Sequence, residues 1–140
     1  MADATMNQLV RTRTDSEKIT LNLGFVDLGQ IDLLVKDGFY ANRTDLIRTA
    51  IRNQLDRHDD VLKKSIVRQS LDLGLRHVTR QELEAVRAAG HQLEINVLGL
   101  VNIATDVTPE LALETIASIA VLGALHASAD VKSALADRMR

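Results

Sequence analysis

The sequence predicts an α+β protein: a strand–helix–helix segment that forms an intertwined dimer, followed by a small α/β domain built from a repeat. A short alternating segment, residues 18–23, runs directly into two amphipathic helical patterns. Further along, the sequence of residues 95–112 is repeated 24 residues later, at 119–136, where eight of the eighteen aligned positions are identical. We expect a flexible basic arm over residues 1–16, a strand–helix–helix domain over 17–57, a helical linker over 58–72 and a strand–helix repeat domain over 73–140.

The composition of the 140 residues limits the class of protein. Hydrophobic residues make up 46%, enough for a packed interior, whereas aromatic residues make up 2%. Modules that stack single-stranded nucleic acid on aromatic rings are therefore disfavoured. The chain has no Cys, which excludes disulfides and Cys-containing zinc sites. The polar first residues, and the lack of an apolar run of about 20 residues, predict a soluble, cytoplasmic protein without membrane contact. The net charge of −2 neither supports nor excludes binding to DNA.

Residues 18–23 read as one short strand with an apolar face and a polar face. A single strand of this length is not stable alone, and no second strand follows before the helical patterns. The simplest solution is pairing with the same strand of another chain. The apolar face consists of Ile19, Leu21 and Leu23, and the polar face of Lys18, Thr20 and Asn22.

The two helical patterns leave too little core for an independent monomer. The first has Asp27 as its predicted N-cap and Gly38 at its end. The second begins at Arg43 or Thr44, with Asn42 or Thr44 as its cap. So short a segment cannot bury a sufficient core, which predicts an obligate homodimer of interlocked helices. The predicted dimer core consists of Ile19, Leu21, Leu23, Leu28, Ile31, Leu34, Val35, Leu46, Ile47, Ala50 and Ile51.

This order of elements resembles the ribbon-helix-helix family, the Arc/MetJ/CopG class of bacterial DNA-binding proteins. The resemblance is carried by the strand over 18–23, by Gly38-Phe39, and by residues 42–48, which read Asn-Arg-Thr-Asp-Leu-Ile-Arg. It covers roughly residues 17–57. The resemblance implies a sequence-specific transcriptional regulator, most often a repressor, that binds double-stranded DNA as a homodimer.

The resemblance also implies which residues contact DNA. A two-stranded antiparallel ribbon fits the major groove, where Lys18, Thr20 and Asn22 would contact base edges. These three side chains could instead form only a solvated face. The start of the second helix would point its free N–H groups at a phosphate, although Arg43 is equally suited to brace the corner between the helices. The implied phosphate contacts are Asn42, Arg43, Thr44, Arg11 and Arg13.

The repeat predicts the architecture of the C-terminal part. Each unit reads as an apolar strand through Gly, then an Asp-Val turn and a short helical stretch ending in Leu-Ala. This resembles a short leucine-rich-repeat-like solenoid; a compact α+β domain that arose by duplication is the alternative. We expect this domain to join dimers into tetramers or larger assemblies, or to bind a protein partner, unless it is only a stable appendage. The repeat positions are Val97, Gly99, Val107, Leu111, Val121, Gly123, Val131 and Leu135.

No motif in the sequence indicates catalysis, a cofactor or a metal. The four histidines (His58, His77, His91 and His126) share no metal-binding spacing, and no phosphate-binding loop or nucleophile motif occurs. We therefore expect a protein that is not an enzyme. Two alternatives to a simple regulator stay open. One is an antitoxin that binds a toxin and represses its own operon, and the other is a scaffold that polymerises through the repeat.

Overall fold

The computed structural model describes residues 16–140, which divide into two compact units, residues 16–65 and residues 66–140. The boundary falls within the third helix. The first unit holds α1 (Phe25–Lys36), α2 (Arg43–Arg57) and most of α3 (Asp59–Arg68). The second holds β1 (Asp72–Val78), α4 (Arg80–Ala88), β2 (Leu93–Ile103), α5 (Pro109–Thr115), β3 (Ile116–His126), α6 (Ala129–Ala134) and a short 3-10 helix (Ala136–Arg138).

The first helix begins earlier than predicted and ends as predicted. Gly24 occupies the N-cap position of α1 without a side-chain cap, so the prediction that Asp27 is the N-cap is wrong. Asp27 lies in the first turn, where the negative charge of its carboxylate interacts favourably with the positive end of the helix dipole. At the other end Gly38 has φ 87° and donates to the carbonyl of Val35 at 3.1 Å. This left-handed ending is the one predicted for Gly38.

The helical pattern that continues past residue 55 forms two helices. His58 is the C-cap of α2, and α3 begins directly after it. Asp59 and Asp60 lie in the first turn of α3, where negative charge is favourable. Asp59 also forms an ion pair with Lys63, with 2.9 Å between Oδ2 and Nζ. The acidic pair after His58 therefore starts a new helix and does not extend the old one.

The predicted strand over residues 18–23 is not a strand in this single chain. Residues 16–24 form neither helix nor strand. A strand exists only as part of a hydrogen-bonded ladder, and no other segment of the described chain pairs with these residues. Ile19, Leu21 and Leu23 are exposed by 70%, 55% and 43%, so the apolar side of the segment faces solvent in the isolated chain.

The second unit is a three-stranded parallel sheet in the order β1-β2-β3. A helix follows each strand. Buried residues of all three helices form one core together with strand residues, most of which lie at every second position along the strand. The helices therefore cover one face of the sheet. The buried apolar residues are Val78, Leu83, Ile95, Val97, Val101, Ile103, Val107, Leu111, Ala112, Ile116, Ile119, Val131 and Leu135.

The strand part of the sequence repeat coincides with the register of the sheet. Ile95 pairs with Ile119, Val97 with Val121 and Gly99 with Gly123, so residues 24 apart in the chain lie side by side. Gly74 pairs with Gly99 on the other side of β2. Asp72-Leu73-Gly74 is thus a further copy of the strand motif, and it was not predicted from the sequence.

The helical part of the repeat is less regular. Asp106-Val107 precedes α5 as predicted, but Asp130-Val131 lies inside α6 and forms no turn there. Leu111 lies in α5, whereas Leu135 is only the C-cap of α6. The predicted order of turn and helix is therefore wrong for the last unit. Both valines and both leucines are nonetheless buried, because the repeat preserves core positions and not helix boundaries.

Side-chain caps fix where the helices of this unit begin. Thr79 accepts from the backbone N–H of Glu82 at 3.1 Å, Thr108 from Leu111 at 3.2 Å and Ser128 from Val131 at 3.2 Å. Such a cap typically contributes about 1 kcal/mol.

The chain end is tied to the third strand. The Arg138 guanidinium donates to the carbonyl of Ile116 at 2.7 Å and to that of Leu113. The Arg140 N–H donates to the carbonyl of Ile119 at 3.0 Å. These bonds cover the first part of the outer edge of β3.

Candidate nucleic-acid interface

The polar side of residues 18–23 is fully available to a ligand. Lys18, Thr20 and Asn22 are all exposed and precede α1 directly. Their side chains offer an ammonium donor, a hydroxyl, and an amide with both donor and acceptor. In the major groove an ammonium pairs with guanine O6/N7, and an amide pairs with adenine N6/N7. A hydroxyl can pair with guanine or with adenine.

The N-terminus of α2 is closed by a reciprocal cap. The Asn42 side chain accepts from the Asp45 N–H at 2.8 Å, and the Asp45 carboxylate accepts from the Ala41 N–H at 2.9 Å. Asn42 is therefore the N-cap, one of the two residues predicted for that place. The backbone N–H groups of a first helical turn have no intrahelical acceptor, so the start of α2 has the character of an anion site. Thr44 lies exposed in that turn.

Arg43 braces α2 against α1. Its Nε and Nη2 donate to the two carboxylate oxygens of Asp32 at 2.7 and 2.8 Å, a bidentate pair. The hydrogen bond from Arg43 holds the pKa of Asp32 below its ordinary value, and the same bond raises the pKa of Arg43. Both side chains are about half exposed, 55% and 48%. The corner-bracing alternative is thus the one seen here, and Asp32 compensates the charge that Arg43 would bring to a phosphate.

Two predicted phosphate contacts, Arg11 and Arg13, lie outside the described residues. Of the predicted dimer core, none is buried in the single chain: within residues 16–65 the structure has no buried side chain. Leu28, Ile31, Val35, Leu46 and Ile47 are half-buried. Ile19, Leu21, Leu23, Leu34, Ala50 and Ile51 are exposed.

The histidines do not form a metal site in the described part of the chain, which has no cluster of three or more His, Cys, Asp or Glu side chains able to hold a metal ion. His77 lies beside Asn102 on the sheet, with 3.4 Å between the ring Nδ1 and the amide nitrogen. His126 follows on the other side of Asn102.

None of the helices among residues 16–140 is both long and apolar enough to cross a membrane.

The described chain thus combines an exposed polar segment, a short helix pair and a capped N-terminus on the second helix. The model of the ribbon-helix-helix transcriptional regulator family matches residues 14–132. The chain therefore belongs to this family of transcriptional regulators. No curated protein and no solved structure matches it.

The family match extends well beyond the segment that carries the resemblance. It includes the helix pair and also the whole three-stranded sheet as far as α6. Both units are thus part of what defines the family. One group of exposed residues in the second unit was not predicted from the sequence: the leucines that face away from the helices. The signal was present in the almost unbroken apolar runs of β2 and β3, which are typical of strands covered on both faces.

Proposed function

We propose that the protein is a dimeric, sequence-specific repressor that reads the major groove with a two-stranded antiparallel ribbon, residues 18–23 of each chain. The observation that carries this proposal is the alternation of exposed apolar and polar side chains directly before the helix pair. A regulator of this kind works where bacterial DNA lies, in the cytoplasm.

The lack of a core in the first unit supports the dimer. Residues 16–65 contain no buried side chain, and even the large apolar side chains are exposed: Phe25 by 94% and Phe39 by 71%. Burial of such side chains stabilises by roughly 1.5–3 kcal/mol each. A second copy that pairs at residues 18–23 would bury Ile19, Leu21 and Leu23 between the two helix pairs. The core of the domain would then be shared between the chains.

Pairing also turns the polar side chains outward. If Ile19, Leu21 and Leu23 face the helices, the alternation places Lys18, Thr20 and Asn22 on the opposite face of the ribbon. Two chains then present six such side chains across one groove. A good bidentate contact discriminates between bases by about 1–3 kcal/mol, so this set is sufficient for sequence-specific binding.

The start of α2 would position the ribbon on the backbone. Its first-turn N–H groups bind a phosphate in this proposal, with Thr44 beside them. Arg43 adds charge when it is released from Asp32. Before DNA is bound, the pair of Arg43 and Asp32 holds this helix end against α1, and the Asn42 cap fixes its first turn.

Selection from randomised duplex DNA tests the proposal with the full chain. The unchanged protein should enrich a palindromic or tandem site, and Lys18→Ala/Thr20→Ala/Asn22→Ala together should abolish the enrichment while sedimentation still shows a dimer. A matched control, Lys64→Ala/Thr105→Ala/Asn53→Ala, removes the same residue types from exposed places elsewhere. It should enrich the same site as the unchanged protein. Retained specificity in the first triple variant would exclude readout by the ribbon.

A further inference from the structure

Among residues 66–140, one face of the parallel sheet is apolar and is not covered by α4, α5 or α6. The residues that alternate with the core positions point away from α4, α5 and α6. The register aligns them in rows, Leu73 beside Leu98 beside Leu122, and Leu75 beside Leu100 beside Ala124. We call these six residues the leucine face.

The outer residues of this face are highly exposed for apolar side chains, whereas Leu98, Leu100 and Ala124 are half-buried. Leu73 is 73% exposed, and Leu75 and Leu122 are each 54% exposed. Parallel sheets are almost always covered on both faces, and a contiguous apolar patch of this kind commonly marks an interaction site. Within residues 66–140 the leucine face therefore has no second layer, although its composition is typical of a covered face.

The polar residues at the two ends of the face indicate what covers it. Among the residues that precede the leucines, the exposed outward side chain on β2 is Glu94, whose neighbour Ser118 on β3 is buried. In the row that follows them, His77, Asn102 and His126 lie side by side. One end thus carries a carboxylate, and the other carries an amide between two imidazoles, which donate to a carboxylate. The two ends are complementary to each other.

We propose that the leucine face binds the leucine face of a second copy of this chain, with the strands of the two sheets running in opposite directions. A two-fold axis across the strands at Leu98 reverses the ends, so Glu94 of each copy meets Asn102 of the other. The row of Leu73, Leu98 and Leu122 then packs on its own counterpart. An axis along the strands would instead set Glu94 against Glu94, a like-charge contact that disfavours that arrangement.

The size of the face also favours a second copy that is already nearby. Three strands spaced about 4.8 Å apart, over eight residues at about 3.3 Å each, give a face of roughly 14 by 26 Å. Two such faces bury less than about 1,000 Å², which is below the usual size of an interface that is stable by itself. Tethering of two chains supplies the missing effective concentration, and in this respect the inference rests on the proposed DNA-binding dimer.

Cross-linking of the full chain tests the inference, because the protein has no Cys of its own. A bismaleimide whose span matches the about 10 Å between packed sheets should join two Leu98→Cys chains. The control is Leu113→Cys, a leucine exposed on α5. We expect cross-linking about tenfold faster for Leu98→Cys than for Leu113→Cys. Equal rates would overturn the proposal.

The direction of the strands has its own test. Glu94→Cys and Asn102→Cys should each cross-link slowly alone, whereas the double variant in one chain should cross-link fast. A fast reaction of Glu94→Cys alone would overturn the antiparallel arrangement. If Leu98→Cys does not fold, Asn96→Cys/Leu100→Cys replaces it, because these positions face each other in the same arrangement.

Two further measurements on the same variants distinguish failure of this inference from failure of the proposed function. Sedimentation without cross-linker reports whether the chain is at least a dimer, and selection of duplex DNA reports whether the ribbon reads bases. A DNA-binding dimer in which Leu98→Cys fails to react overturns only the leucine-face contact. A protein that stays monomeric and selects no site overturns the proposed function.

Discussion

Gly99 lies so close to the backbone carbonyl of Gly74 that a Cβ on Gly99 would overlap the carbonyl oxygen. Gly123 stands in the same relation to Gly99. The two residues have φ values of 143° and 125°, which L side chains rarely adopt. The repeated glycine therefore permits both the conformation of each strand and the close approach of its neighbour.

Gly99→Ala should abolish cooperative folding of the sheet or destabilise it by more than about 3 kcal/mol, because backbone atoms on two strands would have to move. Urea unfolding followed by circular dichroism would measure this. Gly74→Ala is the matched control, since Gly74 has a similar φ of 118° but no atom within 4 Å of its Cβ position. It should cost only the backbone strain, about 1–2 kcal/mol. Equal losses in both variants would contradict the steric explanation.

Asn42→Ala should destabilise the N-terminal unit by about 1 kcal/mol, because the Asp45 N–H loses its acceptor. A decrease in the urea midpoint of the helical signal would report the loss. Asn53→Ala makes the same chemical change in the exposed interior of α2. It should be neutral or slightly stabilising, since Ala has the higher helix propensity. A destabilisation by Asn53→Ala as large as that by Asn42→Ala would contradict the assigned cap.

Asp32→Asn should strengthen DNA binding, since it frees the charge of Arg43 for a phosphate. The dependence of affinity on salt should become steeper by about one phosphate contact. Titrations of the selected duplex at several salt concentrations would measure both effects. Asp56→Asn removes the same charge from another exposed place on the helix pair. If it strengthens binding equally, the effect is one of net charge and Arg43 has no specific part in it.

The Asp32–Arg43 pair should make stability depend on pH in the acidic range. Because the folded-state pKa of Asp32 is lowered from 3.8, the pair stabilises the protein above that value. Its contribution is lost as the pH falls through the lowered pKa. The stability difference between the unchanged protein and Asp32→Asn should therefore be constant near neutrality and shrink toward zero in acid. Unfolding curves over this range would show it, and a difference that grows in acid would contradict the sign.

The local signals in the sequence were strong where one residue determines the backbone. Gly38 ends α1 and Asn42 begins α2 because few residues satisfy those positions. The predicted 24-residue spacing of Val-Leu-Gly coincides with the register of β2 on β3, since side-by-side glycines are required where the backbones approach. For Gly38 and Asn42 the physical requirement lies within a few residues of the signal, and for the glycines it recurs at the period of the repeat.

Other features depend on more than local sequence. The start of α1 was misplaced because Asp27 is an acceptable cap, yet the helix extends one turn further back to Phe25. The copy at Leu73-Gly74 was missed because β1 is short and its flanks, with Asp72 and Arg76, are polar. Strand alternation places Arg76 on the core side, where Glu82 on α4 compensates its charge, at 3.2 Å for one of the two contacts. Such a partner is not visible in a hydrophobic pattern.

The absence of a buried side chain from residues 16–65 has a consequence for gene control. If the proposed dimer supplies the core of this domain, folding and binding to the DNA site occur in one concentration-dependent step. Occupancy should then rise roughly with the square of the amount of protein while the chains are scarce. We expect a threshold in the response of the target gene: halving the number of copies in a cell would relieve repression by more than half.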